Sequence, residues 1–266
     1  MFAATVEFTD GAAAPSAPAA VYVERPICSL CRARSVTLGV VDLLLHPADD
    51  ADAHRPDRHG RLSTVGHAAA FRAFARVARR AGVRFMVIGG TYRDIAVRAA
   101  STRDIDIVLV DQTDLPEDAM RKAGFTRAPH LPHAWRYAAR GRTVDLEIAA
   151  VASLHARAGE PRGPFSVALS QARTATVEGV KVTVPRVEDY VILKLLAAAA
   201  DRRRMTRDLA DVQATLAAFP EREHPSLSIP ALRGRLRDLY GFRGRQLTEL
   251  VALLREVRRL IKSEER

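Results

Sequence analysis

The 266-residue sequence predicts an α+β (α/β) chain: a mixed β-sheet flanked by helices, followed by a C-terminal helical domain. Three observations predict it. Short apolar runs rich in β-branched residues alternate with amphipathic stretches between residues 64 and 150. Two further apolar runs flank a Glu178-Gly179 turn signal. From Arg186 to the end the apolar spacing is helical.

The segment 1–61 reads differently. Gly11 to Ala20 is a low-complexity Ala/Pro run, and His46 to Gly60 is polar throughout, so neither has enough apolar surface to bury. The expectation is a disordered or loosely attached segment, with a short strand near Ser35–Leu45. Order is expected from about Ser63. Thr64 to Ala81 carries Val65, Ala69, Phe71, Phe74, Val77 and Ala78 at helical spacing, and Gly82 follows as a stop. Val83-Arg-Phe-Met-Val-Ile88 reads as a buried strand closed by Gly89-Gly90, after which Thr91 to Ala99 resumes as a helix. Asp104-Ile-Asp-Ile-Val-Leu-Val110 alternates and then becomes wholly apolar, as a central strand does. Pro116 to Gly124 reads as a helix with proline in its first turn. Trp135–Ala139 and Thr143–Ala150 read as strands joined at Arg140-Gly141-Arg142, and Thr174–Val177 with Val180–Val184 as a hairpin. Helices are expected at 187–201, 204–218, 229–239 and 244–263. The division expected is 1–61, a catalytic domain over 62–185 and a helical domain over 186–266.

Formal net charge is +10, carried by 37 arginines against four lysines. Positive excess favours polyanionic partners such as RNA or nucleotides, although here it is spread along the chain rather than massed in one block. Cys28 and Cys31 form a single Cys-x-x-Cys; a structural zinc site needs four ligands, and only the distant His54 and His59 could complete it. Two cysteines make no disulfide scaffold, no run is long enough to span a bilayer, and the first residues lack the order of a signal peptide, so a cytoplasmic location is expected.

The chemistry concentrates around residues 89–106. Asp104 and Asp106 stand two apart in a strand, so both carboxylates point to one face. Such a pair among apolar neighbours is costly unless a cation neutralises it, and Mg2+ takes carboxylates together with phosphate oxygens. Arg98 and Arg103 are the alternative, as ordinary ion-pair partners. Gly89-Gly90 strengthens the metal reading, because glycine lets backbone amides approach a phosphate at a strand-to-helix junction. The aspartate pair opens the next strand 14 residues after Gly90. A third carboxylate is expected from Thr143-Val-Asp-Leu-Glu-Ile148, with Asp145 favoured and Glu147 on the same face. It would be a metal ligand or the base that takes the acceptor's proton.

Val87-Ile-Gly-Gly90, its spacer and Thr102-Arg-Asp-Ile-Asp-Ile107 resemble the signature of the DNA polymerase beta-like nucleotidyltransferase superfamily. Val187-Glu-Asp-Tyr-Val-Ile-Leu-Lys194, with Arg207-Asp-Leu-Ala-Asp211, looks like the helical part of its AbiEii-like branch of type IV toxin–antitoxin enzymes. The resemblance spans roughly residues 64–218 and implies a nucleotidyltransferase fold, two Mg2+ ions and an NTP donor. By that match Gly89, Gly90 and the following Thr91 hold the triphosphate, with Arg98 and Lys194 as phosphate contacts. Asp104, Asp106 and Asp145 are then the catalytic, metal-binding carboxylates. Arg207 and Asp211 are expected to pair along one helix face and brace the helical domain against the core. Two departures stand out: Thr91 replaces a small residue, and Arg98 lies four positions before Thr102 rather than two.

The expected activity is Mg2+-dependent transfer of NMP from an NTP to an acceptor hydroxyl, RNA or tRNA being favoured, in a toxin with a partner antitoxin. The alternatives are a small-molecule transferase of the aminoglycoside type, which calls for extra carboxylates near Glu147, and an inactive nucleotide- or RNA-binding module on the same fold.

Overall fold

The computed structural model describes residues 62, 65–97, 102, 104–110, 115–129, 133–139, 142–150 and 163–264. Expectations for 1–61, including the strand near Ser35, Cys28, Cys31, His54 and His59, lie outside the described residues, as do Arg98, Arg103 and the turn residues Arg140 and Gly141.

The elements follow in chain order as α1 (Val65–Arg80), β1 (Phe85–Val87), α2 (Gly89–Ala96), β2 (Asp104–Leu109), α3 (Glu117–Lys122), β3 (Phe125–Arg127), β4 (Ala134–Ala139) and β5 (Arg142–Ala150). Then come α4 (Pro164–Ser170), the hairpin β6 (Arg173–Val177) and β7 (Val180–Val184), and the helices α5 (Val187–Ala200), α6 (Arg202–Ala218), α7 (Ile229–Asp238) and α8 (Gly244–Glu264). The seven strands make one mixed sheet in the order β3-β4-β5-β2-β1-β7-β6. The aspartate-bearing β2 is its middle strand, antiparallel to β1 and parallel to β5.

Alternation along β2 builds both sides of that sheet. Ile105, Ile107 and Leu109 are fully buried in the core that α1 closes, where Phe71, Phe74 and Phe85 meet ring to ring at 4.7–6.4 Å. Each such aromatic contributes roughly 1.5–3 kcal/mol by leaving water. Val108 points the other way, into a small cluster with Met86 and Ala168. Asp104 and Asp106 of the same strand share that face.

Local chemistry sets the ends. Gly82, at φ +67°, stops α1, and the Val83 N–H reaches back to the Ala78 carbonyl at 2.8 Å, a left-handed C-terminal turn. Glu178 and Gly179 both have positive φ, the type I′ geometry of a two-residue hairpin. Asp201 caps α6 by accepting from the Arg203 N–H, and Ser228 caps α7 by accepting from Ala231. Two elements exceed the sequence reading. β3 is a three-residue edge strand too short for periodicity to reveal, and α4 is a seven-residue helix of only two turns. The helices α5–α8 share a second core that includes Ile192, Leu195, Val212, Leu236 and Leu254. It is tied by Asp189, which accepts two bonds from Arg235 at 2.8 and 2.6 Å and one from the Tyr240 hydroxyl at 2.8 Å.

Candidate functional site

The glycine pair is the first turn of α2 rather than a loop ahead of it. Gly89 has φ +58°, and a Cβ there would stand 2.1 Å from Oδ2 of Asp106. A Cβ on Gly90 would stand 2.6 Å from Oγ1 of Thr102. Both positions therefore need glycine for space, and Gly89 needs it for conformation as well. The close approach is used: the Gly90 N–H donates to Asp106 Oδ2 at 2.8 Å, fixing that carboxylate. Thr102 Oγ1 donates to Asp104 Oδ1 at 2.8 Å and fixes the other. Thr91, expected at the nucleotide, lies wholly buried, and its hydroxyl accepts from the Asp106 N–H at 3.1 Å. It pins β2 to α2.

The β2–β5 register sets Asp104 opposite Asp145 and Asp106 opposite Glu147. Of these four, Asp104, Asp106 and Glu147 bring carboxylate oxygens within 4.8 Å of one another. The favoured Asp145 is not gathered there. Its direct neighbour on β4 is Arg136, whose Nε and Nη2 meet its two oxygens at 2.8 and 3.3 Å. An arginine fork across the strand pair holds the shorter acid, and the longer Glu147, one step along the ladder, joins the cluster.

Three carboxylates in so small a space repel one another. Burial first, and then the charges of Asp104 and Glu147, push the Asp106 carboxyl up to about 7, against the opposing pull of Lys194 and the Gly90 amide. The Glu147 carboxyl is raised by burial and by Asp104, while Arg204 and Arg207 pull it down. A hard divalent cation answers this donor set of oriented oxygens, so the residues present fit Mg2+.

Asp106 and Glu147 of the cluster line a cavity of about 160 Å³ between the sheet and helices α4 and α5. Pro164, Phe165, Leu193 and Leu196 line its apolar side, and Tyr190, Lys194 and Arg204 are on its walls as well. Lys194, expected as a phosphate contact, does arrive at this cavity, with its ammonium already held at 2.8 Å by Asp208 and 2.7 Å by Asp211. Asp211 also takes Arg93 of α2 at 2.6 Å. Asp211 thus ties α6 to α2 and α5 through Arg93 and Lys194 instead of the exposed Arg207. Tyr190, Phe165 and Arg204 escaped the sequence reading. Tyr190 could have been found, since it lies four residues before Lys194 on one helix face.

No protein-family model matches this chain, and no curated protein matches it. Solved structures do. An antigenic nucleotidyltransferase-like protein from Paracoccidioides brasiliensis is 17% identical, covers 76% of this chain and 93% of its own, and superposes with a TM-score of 0.52. The antibiotic-resistance factor ANT(2'')-Ia is 13% identical over 75% of this chain and 96% of its own, with a TM-score of 0.41. A tRNA nucleotidyltransferase complexed with a primer tRNA and an incoming ATP analog is 17% identical over 70% of this chain and 60% of its own, with a TM-score of 0.31. At these identities the first likeness establishes the fold, a nucleotidyltransferase fold with a helical C-terminal region. Among the described residues no helix is long and apolar enough to cross a membrane.

Proposed function

We propose that this protein is a Mg2+-dependent nucleotidyltransferase that moves NMP from an NTP to an acceptor hydroxyl, releasing pyrophosphate. One observation carries it: Asp104, Asp106 and Glu147 converge from two adjacent strands beside the Gly89-Gly90 turn, on this fold. In this reading residues 62–185 are the catalytic part and 186–266 the helical part. Asp104, Asp106 and Glu147 would hold the cation, which when bound neutralises their charge and that of the triphosphate. Thr102 and the Gly90 amide keep two of these carboxylates oriented before substrate arrives, so little reorganisation is left for the reaction. Phe165 and Leu193 give the same space an apolar side, which would strengthen the electrostatic contacts made within it.

The acceptor in this proposal is RNA, tRNA among the candidates. The groups that face Glu147 from helix α6 are Arg204 and Arg207, and the nearby Asp145 is already paired with Arg136. Positive charge on that side suits an anionic acceptor and repels a cationic aminoglycoside. The finer reading, a toxin restrained by an antitoxin, rests on the resemblance of the helical motif at Lys194 and Arg207–Asp211 alone. The test is incubation with each labelled NTP, Mg2+ and total RNA or tRNA, comparing wild type with Asp104→Ala/Asp106→Ala. Label on RNA from wild type only supports the proposal. Absence of transfer to RNA or to small-molecule acceptors across divalent metals defeats it in favour of a binding module. Arrest of growth on expression, lost in the double variant, tests the toxin reading.

A further inference from the structure

Tyr190 is 1% exposed, and its hydroxyl is buried without a hydrogen-bond partner among the described residues. A buried hydroxyl left unpaired is uncommon in a folded protein, because its desolvation is not offset. Its ring is held in place by Tyr92, at 4.5 Å between centroids, and the Lys194 ammonium stands 6.0 Å from that ring. The residue lines the same cavity as Asp106, Glu147 and Lys194. Burial, reinforced by the charge of Asp211, raises its phenol well above the ordinary tyrosine range, so it stays a donor at any physiological pH.

The cations of the cavity divide into two kinds. Lys194 is buried between Asp208 and Asp211, and its charge is matched there. Arg204 is half-exposed and approaches Asp208 at 3.5 Å from Nε without a hydrogen bond to that oxygen. It lines the cavity and acts on Glu147 through space. The cavity lining therefore includes Tyr190, whose buried hydroxyl is unpaired, and the half-exposed guanidinium of Arg204, together with Asp106 and Glu147.

We propose that Tyr190 and Arg204 are the side chains that hold the phosphate chain of the nucleotide in this cavity, while Lys194 is a brace that positions helix α5. The proposal rests on the nucleotidyltransferase reading and assigns to it two residues on the helical side. Tyr190 donates to a non-bridging phosphate oxygen, and Arg204 pairs with the terminal phosphates and with the pyrophosphate that leaves.

The test is calorimetric titration of the full-length protein with ATP and with inorganic tripolyphosphate, each with Mg2+. Wild type is compared with Tyr190→Phe and Arg204→Gln, alongside thermal unfolding without ligand. Loss of a hydrogen bond to a charged group should weaken both ligands about tenfold in each variant. Tyr190→Phe should leave the ligand-free unfolding temperature unchanged or higher, since it removes an unpaired hydroxyl and keeps the ring packing. Wild-type affinity for both ligands in Tyr190→Phe and Arg204→Gln would overturn the assignment while leaving NMP transfer intact. Failure of the wild-type protein to bind any NTP with Mg2+ would instead remove the nucleotidyltransferase reading beneath it.

Discussion

A Cβ on Gly89 would stand 2.1 Å from Oδ2 of Asp106, so the backbone of one residue is the floor on which the carboxylate of the other rests. Gly89→Ala must both adopt φ near +58° and displace that carboxylate. The positive φ alone costs about 1 kcal/mol, and the clash adds to it. The variant should lose roughly 2 kcal/mol or more in urea unfolding, and its Mn2+ affinity should fall with the displaced Asp106. A Gly89→Ala protein with wild-type stability and Mn2+ binding would show that this contact does not position the acid.

Glu147 and Asp145 are two apart on one strand face and should behave differently. Glu147→Gln removes a carboxylate of the cluster and should weaken Mn2+ binding at least about tenfold, as loss of a charged ligand does. Asp145→Asn only breaks the solvent-screened pair with Arg136 and should leave Mn2+ binding near wild type. Titration of both variants followed by electron paramagnetic resonance decides between them, and the reverse ranking would return Asp145 to the site.

Asp106 gives the metal-free protein a pH signature. Its folded carboxyl is raised to about 7, so between the unfolded value near 4 and that point the folded state binds the extra proton. Stability from this group is full below about pH 4 and is lost as pH rises through 7. Urea unfolding with chelator should show stability falling between pH 5 and 8, with the slope flattened in Asp106→Asn and reduced by added Mg2+. Identical slopes in wild type and Asp106→Asn would count against the crowded carboxylate.

Asp211 has the opposite sign. Burial would raise its carboxyl, but Lys194 and Arg93 outweigh it and hold the group below the ordinary aspartate range. Its contribution is present above the unfolded value and lost as pH falls through the folded one. Asp211→Ala removes the close carboxylate of Arg93 and one of the two that hold Lys194, and should cost about 3 kcal/mol in urea unfolding at neutral pH. A loss below 1 kcal/mol would mean that Arg93 and Lys194 find other partners.

How far the sequence reached is visible in particular residues. The hairpin at Glu178-Gly179, the central strand at Asp104–Leu109 and all four C-terminal helices were legible, because turn glycines, alternation and helical spacing are local properties. The glycine–aspartate pairing was legible as a spacing, and the carboxylates of Asp104 and Asp106 had to share a face because strand geometry alternates. The third acid was not. Asp145 and Glu147 share a face, and the choice between them was made by Arg136 on a strand whose register no single segment encodes. Likewise Thr91 was turned inward by the Asp106 amide, and Lys194 was matched by aspartates from the next helix. The chain itself determined which chemistries were on offer, since residue type and local periodicity are written into it. Packing alone decided which side chains were already paired and which were left to meet a ligand, since pairing depends on neighbours brought together from distant parts of the chain.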